Sequence, residues 1–126
     1  MELKRIIHVD DDEDIRAIVK IALETVGQME LKQFPDGPTA LANINDTNPH
    51  LFLLDVMMPG MTGQELRKEI AKQPGFEDVP TIFVTAKAED SFTNQLRAEG
   101  ALAVITKPFN PMTLADDLKC IWRSRD

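Results

Sequence analysis

The chain has one cysteine, Cys120, and no tyrosine. An internal disulfide is excluded, and at helical spacing among Leu118 and Ile121 the thiol reads as a small apolar packing residue rather than a redox group. Positive charge is scarce: 14 lysines and arginines face 21 aspartates and glutamates, a formal net charge of −7. Non-specific binding to a phosphate backbone needs clustered Lys and Arg, so no direct nucleic-acid partner is expected. No apolar run approaches the roughly 18 residues of a membrane span, and the first residues lead into a short apolar segment rather than a signal sequence. No membrane insertion is expected, and the sequence reads as that of a cytoplasmic protein. Linker-like and low-complexity stretches are missing too. The 126 residues therefore read as a single domain, 1–126, long enough to bury a core without disulfide or metal staples.

What the chain has in quantity is short apolar runs alternating with segments of helical period, the pattern of repeated βα units around a parallel sheet. The predicted strands are Arg5 to Val9, Met29 to Phe34, Leu51 to Leu54, Thr81 to Val84 and Ala103 to Ile105. The third and fourth are apolar or nearly so throughout, as strands covered by helices on both faces should be. In the first helix Ile15, Ile18, Val19, Ala22, Leu23 and Val26 form one apolar stripe, with Arg16, Lys20 and Glu24 on the outer face. Thr62-Gly63-Gln64-Glu65 fits a capping box ahead of Leu66 and Ile70. Asn110-Pro111 reads as the N-cap and first residue of a last helix burying Leu114, Leu118 and Ile121. Gly27 and Gly100 stand where helices should stop, and Pro35-Asp36-Gly37-Pro38 and Gln73-Pro74-Gly75 read as short turns.

In an open parallel sheet the working site lies outside the carboxyl ends of the strands. Reading the residue that follows each strand yields Asp10 and Asp11, Asp55, Thr85 and Lys107. Three carboxylates in one crevice repel one another unless something positive joins them. A hard cation such as Mg²⁺, which takes oxygen ligands and keeps some waters, is the natural companion. Asp11 and Asp55 are expected as direct ligands, Asp10 as a ligand directly or through water, and Met57 as the donor of a backbone carbonyl. With the charge so reduced, a carboxylate oxygen can attack a phosphoryl group and form an acyl phosphate. Asp55 is the better nucleophile because it ends an apolar strand and precedes the loop Val56-Met57-Met58-Pro59-Gly60. The Lys107 ammonium would neutralise charge, and the Thr85 hydroxyl would donate to a phosphoryl oxygen.

Each residue alone has a plainer reading. Asp12, Glu13 and Asp14 suit the first turn of a helix, where the dipole favours negative charge. Asp55 alone is a turn residue, Thr85 alone a helix N-cap and Lys107 alone a solvated lysine. Only their occurrence together, each at a strand end, favours the functional reading.

Four segments, "HVDDDEDIR", "LFLLDVMMPGMTG", "TIFVTAK" and "VITKPFN", together resemble the receiver domains of two-component response regulators, with chemotaxis regulators as the model. The resemblance spans essentially the whole chain. It implies a flavodoxin-like (βα)5 fold, a doubly wound α/β architecture with a five-stranded parallel sheet in the order 2-1-3-4-5. By position, Asp55 is similar to the phosphorylated aspartate, Asp10 and Asp11 to the metal-binding acidic pair, and Met57 to the carbonyl ligand. Thr85 is similar to the switch hydroxyl and Lys107 to the lysine that pairs with the phosphoryl group, while the Lys107-Pro108 bond matches one usually cis.

The resemblance also implies a phosphoryl donor, a histidine kinase or histidine phosphotransfer protein. A downstream protein target would dock on the fourth helix, fifth strand and fifth helix, here Ala88 to Glu99, Ala103 to Ile105 and Asn110 to Arg123. A monomer or weak phosphorylation-dependent dimer is expected.

Four positions depart from the pattern. Val104 stands where many members carry a mobile aromatic. Met57 and Lys87, two residues beyond Asp55 and Thr85, flank the approach of water to an acyl phosphate. His8 occupies a position that is more often apolar, and reads as a solvated or hydrogen-bonded strand histidine.

The expectation is a phosphorylation switch rather than an enzyme. A phosphatase of the haloacid dehalogenase type also forms an aspartyl phosphate, but requires a second aspartate two residues on, where this chain has Met57. A receiver-like protein that binds partners without phosphorylation is disfavoured by the full set of site residues. A stand-alone regulator is expected from the lead-in at Met1, with a receiver excised from a larger regulator or hybrid kinase as the alternative.

Overall fold

The computed structural model describes residues 2–87 and 89–125. Ala88, expected to begin the docking face, lies outside them. Five parallel strands, β1 (Arg5–Val9), β2 (Glu30–Phe34), β3 (Leu51–Asp55), β4 (Thr81–Thr85) and β5 (Ala103–Thr106), form one sheet in the order β2-β1-β3-β4-β5. The helices are α1 (Glu13–Lys20), which continues as a π-helical segment Ile21–Val26, α2 (Gly37–Asn43), α3 (Gly63–Ala71), α4 (Asp90–Ala98) and α5 (Leu114–Arg123). This is the flavodoxin-like doubly wound fold.

Two apolar layers hold the sheet, one on each face. Ile6, Leu51, Leu53, Ile82 and Val84 pack with Val19, Leu23, Leu114, Leu118 and Trp122 on the α1 and α5 side. Ile7, Val9, Phe52, Leu54 and Phe83 pack with Ala40, Leu66, Ile70 and Leu96 on the α2, α3 and α4 side. β3 and β4 are buried along their whole lengths. Removing each such Leu, Ile or Phe from water contributes about 1.5–3 kcal/mol, which is why the central strands are apolar on both faces.

The capping box forms as expected: the Glu65 N–H donates to Thr62 Oγ1 and the Thr62 N–H to Glu65 Oε1. Gly100, at φ +107°, ends α4. Its N–H reaches the Arg97 carbonyl while the Ala101 N–H reaches that of Leu96, closing a Schellman turn that favours glycine at this φ.

Four expectations need correction. Asn110 does not cap the last helix. It heads a turn, its Oδ1 accepting the Met112 N–H, and α5 starts at Leu114 after Thr113. Cys120 is exposed, because α5 buries Leu114, Ala115, Leu118 and Trp122 and position 120 falls on the opposite side. On the first helix Ile18 and Val26 are exposed. For Val26 the cause is the wider π winding after Lys20, which shifts the phase of the stripe. Finally, Gly37 and Pro38 are not a turn but the first residues of α2, capped by the Asp36 carboxylate accepting from the Thr39 N–H.

Candidate functional site

Strand order reverses between β1 and β3, so the crevice at their carboxyl ends is open to side chains from both. Asp10 follows β1 and Asp55 is the last residue of β3; both are buried, whereas Asp11 is exposed. Asp55 and Thr85 lie one position beyond the strand ends expected from sequence and are the last residues of β3 and β4, because the ladder runs one residue further, with Asp55 opposite Val84 and Thr85 opposite Thr106. Carboxylate oxygens of Asp10, Asp11 and Asp55 lie within 4.8 Å of one another. Lys107, from the loop after β5, places Nζ 3.1 Å from Asp10 Oδ2 and 3.2 Å from Asp55 Oδ1. The Lys107–Pro108 bond is cis, and the Lys107 N–H donates to the Thr85 carbonyl at 2.8 Å, fixing the root of the lysine to the end of β4.

The electrostatics follow from this crowding. Burial, reinforced by the Asp10 charge and opposed by Lys107, pushes the Asp55 carboxyl up to about 6. Asp10 is also raised by burial, against the pull of the Asp12 N–H and of Lys107. Burial works against the Lys107 ammonium, yet the two carboxylates outweigh it and hold its pKa above the ordinary lysine value. The pocket thus carries more negative charge than one lysine neutralises.

Its donors are hard oxygens. Oxygens sharing a small cation at about 2.1 Å lie no more than about 4.2 Å apart. A slight contraction of the acidic cluster meets that condition, so these residues fit a divalent cation. Met57 lies in the loop after β3 and is 58% exposed. Thr85 is buried, and its Oγ1 accepts the Lys87 N–H at 3.1 Å. It is therefore no helix N-cap: the N-cap of α4 is Glu89. Lys107 is not a solvated lysine, its side chain being only 19% exposed.

The acidic run divides as anticipated, and more sharply. Asp12 is the N-cap of α1, its Oδ1 accepting from the Asp14 and Ile15 N–H groups, and Glu13 and Asp14 occupy the first turn. Arg16, expected on the outer face, instead turns inward and donates Nη1–H to the Asp10 carbonyl at 2.7 Å. His8 is fully buried rather than solvated, with Nδ1 3.0 Å from Gln33 Nε2 and Nε2 3.8 Å from Asp10 Oδ2. Burial first, then the charges of Lys107 and Arg16, push this imidazole down to about 3. Arg16 and Gln33 escaped sequence reasoning. The one signal was a polar His8 inside the otherwise apolar run Ile6 to Val9.

A five-stranded doubly wound sheet with carboxylates and a lysine at its β1/β3 crevice defines a class of phosphoryl-accepting signalling domain. The chain belongs to the response regulator receiver domain family, whose sequence model matches residues 6–119. It is 39% identical over 120 residues to the phosphate regulon transcriptional regulatory protein PhoB of Pseudomonas aeruginosa, covering 95% of this chain and 52% of that protein. It is 34% identical over 116 residues to the regulatory protein VanRc of Enterococcus gallinarum, covering 92% and 48%. The chain spans about half the length of these curated relatives. Among solved structures, the chemotaxis protein CheY4 of Vibrio cholerae superposes with a TM-score of 0.85 at 31% identity, covering 94% of this chain and 98% of that one. Receiver domains are signalling domains of two-component systems that interact with histidine kinases and downstream effectors. Among the described residues no helix is long and apolar enough to cross a membrane.

Proposed function

We propose that the 126 residues act as one receiver domain in the cytoplasm, a switch in which Asp55 takes a phosphoryl group from a phosphohistidine on a histidine kinase or phosphotransfer protein. One observation carries this: three carboxylates and the Lys107 ammonium, brought from the ends of β1, β3 and β5, meet in a single crevice. Asp10, Asp11, Asp55 and the Met57 carbonyl would hold Mg²⁺, which when bound supplies charge neutralisation for the carboxylates and for phosphoryl oxygens.

In the transfer, a carboxylate oxygen of Asp55 attacks phosphorus while the P–N bond of the donor breaks. Its electron pair returns to the donor imidazole, leaving an acyl phosphate on Asp55. Lys107, already 3.2 Å from the Asp55 carboxylate, pairs with the new phosphoryl oxygens. Thr85 offers them its hydroxyl proton. Hydrolysis by water regenerates the carboxylate and releases inorganic phosphate, slowly enough that the chain acts as a switch and not as a turnover enzyme. Met57 offers no proton-transferring group two residues beyond Asp55, which disfavours the dehalogenase-type phosphatase.

Phosphorylation replaces the Asp55 carboxylate charge with a bulkier phosphoryl group carrying roughly −1.5 to −2 charges, beside two groups rooted at the ends of β4 and β5. Their displacement biases the face formed by α4, β5 and α5, where a downstream protein target docks. With half-buried Val104 on β5 in place of an aromatic, the response travels as a backbone or helix shift. The protein works as a monomer or weak phosphorylation-dependent dimer, without contacting nucleic acid directly.

Incubation with Mg²⁺ and a small acyl phosphate, followed by intact mass measurement, should give one phosphoryl adduct on the wild type. Asp55→Asn, and wild type without Mg²⁺, should give none. An unmodified wild type would sink the switch, and rapid catalytic release of phosphate would favour the phosphatase.

A further inference from the structure

His8 lies one strand residue before Val9 and on the same face of β1 as Asp10, and it pairs in register with Gln33 of β2. The Gln33 side-chain nitrogen donates to the Arg16 carbonyl at 2.8 Å. A carbonyl only accepts, so the amide nitrogen and not its oxygen faces this corner, and its second hydrogen is directed to His8 Nδ1, 3.0 Å away. Nδ1 is thereby an acceptor, which leaves the imidazole proton on Nε2. Among the described residues that Nε2 has no hydrogen-bond partner, although it is fully buried. The polar atom it faces is Asp10 Oδ2, 3.8 Å off, just beyond hydrogen-bond reach. Oδ2 is meanwhile taken by Lys107 at 3.1 Å, and Asp10 Oδ1 accepts the Asp12 N–H at 2.9 Å.

We infer that His8 is a positioning residue for the cation site, a neutral donor that Gln33 orients toward Asp10 and that holds Asp10 Oδ2 when a divalent cation occupies the acidic cluster. This rests on the metal reading proposed above. The physical reason is charge. An ammonium and a divalent cation on the same carboxylate repel each other, whereas an uncharged N–H does not oppose the cation. A donor behind the carboxylate also fixes its orientation and raises its value as a ligand, the role outer groups play around metal ligands. Arg16 completes the frame, since it grips the Asp10 carbonyl while its own carbonyl holds Gln33.

The test combines calorimetric titration with Mg²⁺ and nitrogen-15 NMR of the imidazole. In the wild type, His8 should be the Nε2–H tautomer before Mg²⁺ is added, and the Nε2 proton should move downfield as the hydrogen bond to Asp10 shortens on loading. His8→Phe should weaken Mg²⁺ binding roughly tenfold. Gln33→Leu, which leaves His8 in place but releases its tautomer, should weaken it by a smaller factor and keep Asp10 and Lys107 in place. An Nδ1–H tautomer, an Nε2 proton unmoved by Mg²⁺, or unchanged affinity in Gln33→Leu would overturn the inference while leaving the metal reading intact. If His8→Phe does not fold, the wild-type tautomer and Gln33→Leu decide the matter. A wild type that binds no Mg²⁺ would overturn the metal reading, and this inference with it.

Discussion

Gly63, the first residue of α3, packs directly against the Asp55 carbonyl, so that a side-chain carbon there would overlap the oxygen and its carbon. The Gly63 N–H also donates to the Val56 carbonyl at 3.1 Å, clamping the start of α3 to the strand end that carries Asp55. The obstructing atoms are backbone, which cannot rotate away as a flexible side chain would. Gly63→Ala should therefore cost about 1–3 kcal/mol of stability in urea unfolding and displace Asp55 enough to weaken Mg²⁺ binding. A variant with unchanged midpoint and affinity would show that α3 can shift without strain.

The raised pKa of Asp55 makes a signed prediction for the metal-free protein. The folded state takes a proton on Asp55 near pH 6 and the unfolded state only near the ordinary value of 3.8. This contribution to stability is fully present below about pH 4 and is lost as pH rises through about 6. In EDTA at pH 7.5, Asp55→Asn should thus melt higher than wild type, by roughly 3–6 °C. The gap should narrow to roughly half by pH 5 and close only below about pH 4, where the unfolded wild-type chain also carries the proton. Saturating Mg²⁺ should reverse the order, and differential scanning fluorimetry across this grid reads all three.

Removing Lys107 leaves Asp10 and Asp55 facing each other with no protein cation between them. In EDTA at pH 8, Lys107→Gln should lose about 1–2 kcal/mol, less than a wholly buried pair would because the lysine is partly open to solvent. At pH 5 the carboxyls can accept protons instead, so the loss should shrink. A penalty independent of pH would mean that the lysine stem, and not its charge, matters.

Asp11, Asp12 and Asp14 are near neighbours with separable roles. Asp11→Asn should lower Mg²⁺ affinity by an order of magnitude or more with little change in stability. Asp12→Ala removes the N-cap of α1 and should cost about 1 kcal/mol in thermal unfolding. Asp14→Asn should leave Mg²⁺ binding and metal-dependent phosphorylation largely intact. Equal losses of affinity at all three positions would reduce the run to an undifferentiated electrostatic patch.

Much of this was legible one residue at a time. The apolar β3 and β4, the Thr62 to Glu65 capping box and the turn at Gly100 are signals carried within a few residues. What escaped was non-local. Arg16 sits on what helical spacing marks as the outer face, yet a long side chain can bend back to a carbonyl that only the packing of α1 on β1 places in reach. Cys120 looked apolar by its neighbours, but the buried face of α5 is set by what packs on it, and that face runs through Leu114, Leu118 and Trp122. Val26 follows the stripe on paper and leaves it once the helix widens to π winding.

By itself, then, the sequence determined the alternation of elements, the two-faced burial of the central strands and the identity of the residues at the strand ends, because each depends on local pattern and hydrophobicity. Only the tertiary structure decided that Lys107 spans Asp10 and Asp55, that Asp55 is buried enough to hold its proton to about pH 6, and that His8 stands between Gln33 and Asp10 with a nitrogen that has no hydrogen-bond partner among the described residues. Those facts are distances and desolvation between groups as many as 97 residues apart in the chain, and they come into being only when the parallel sheet brings its strand ends together.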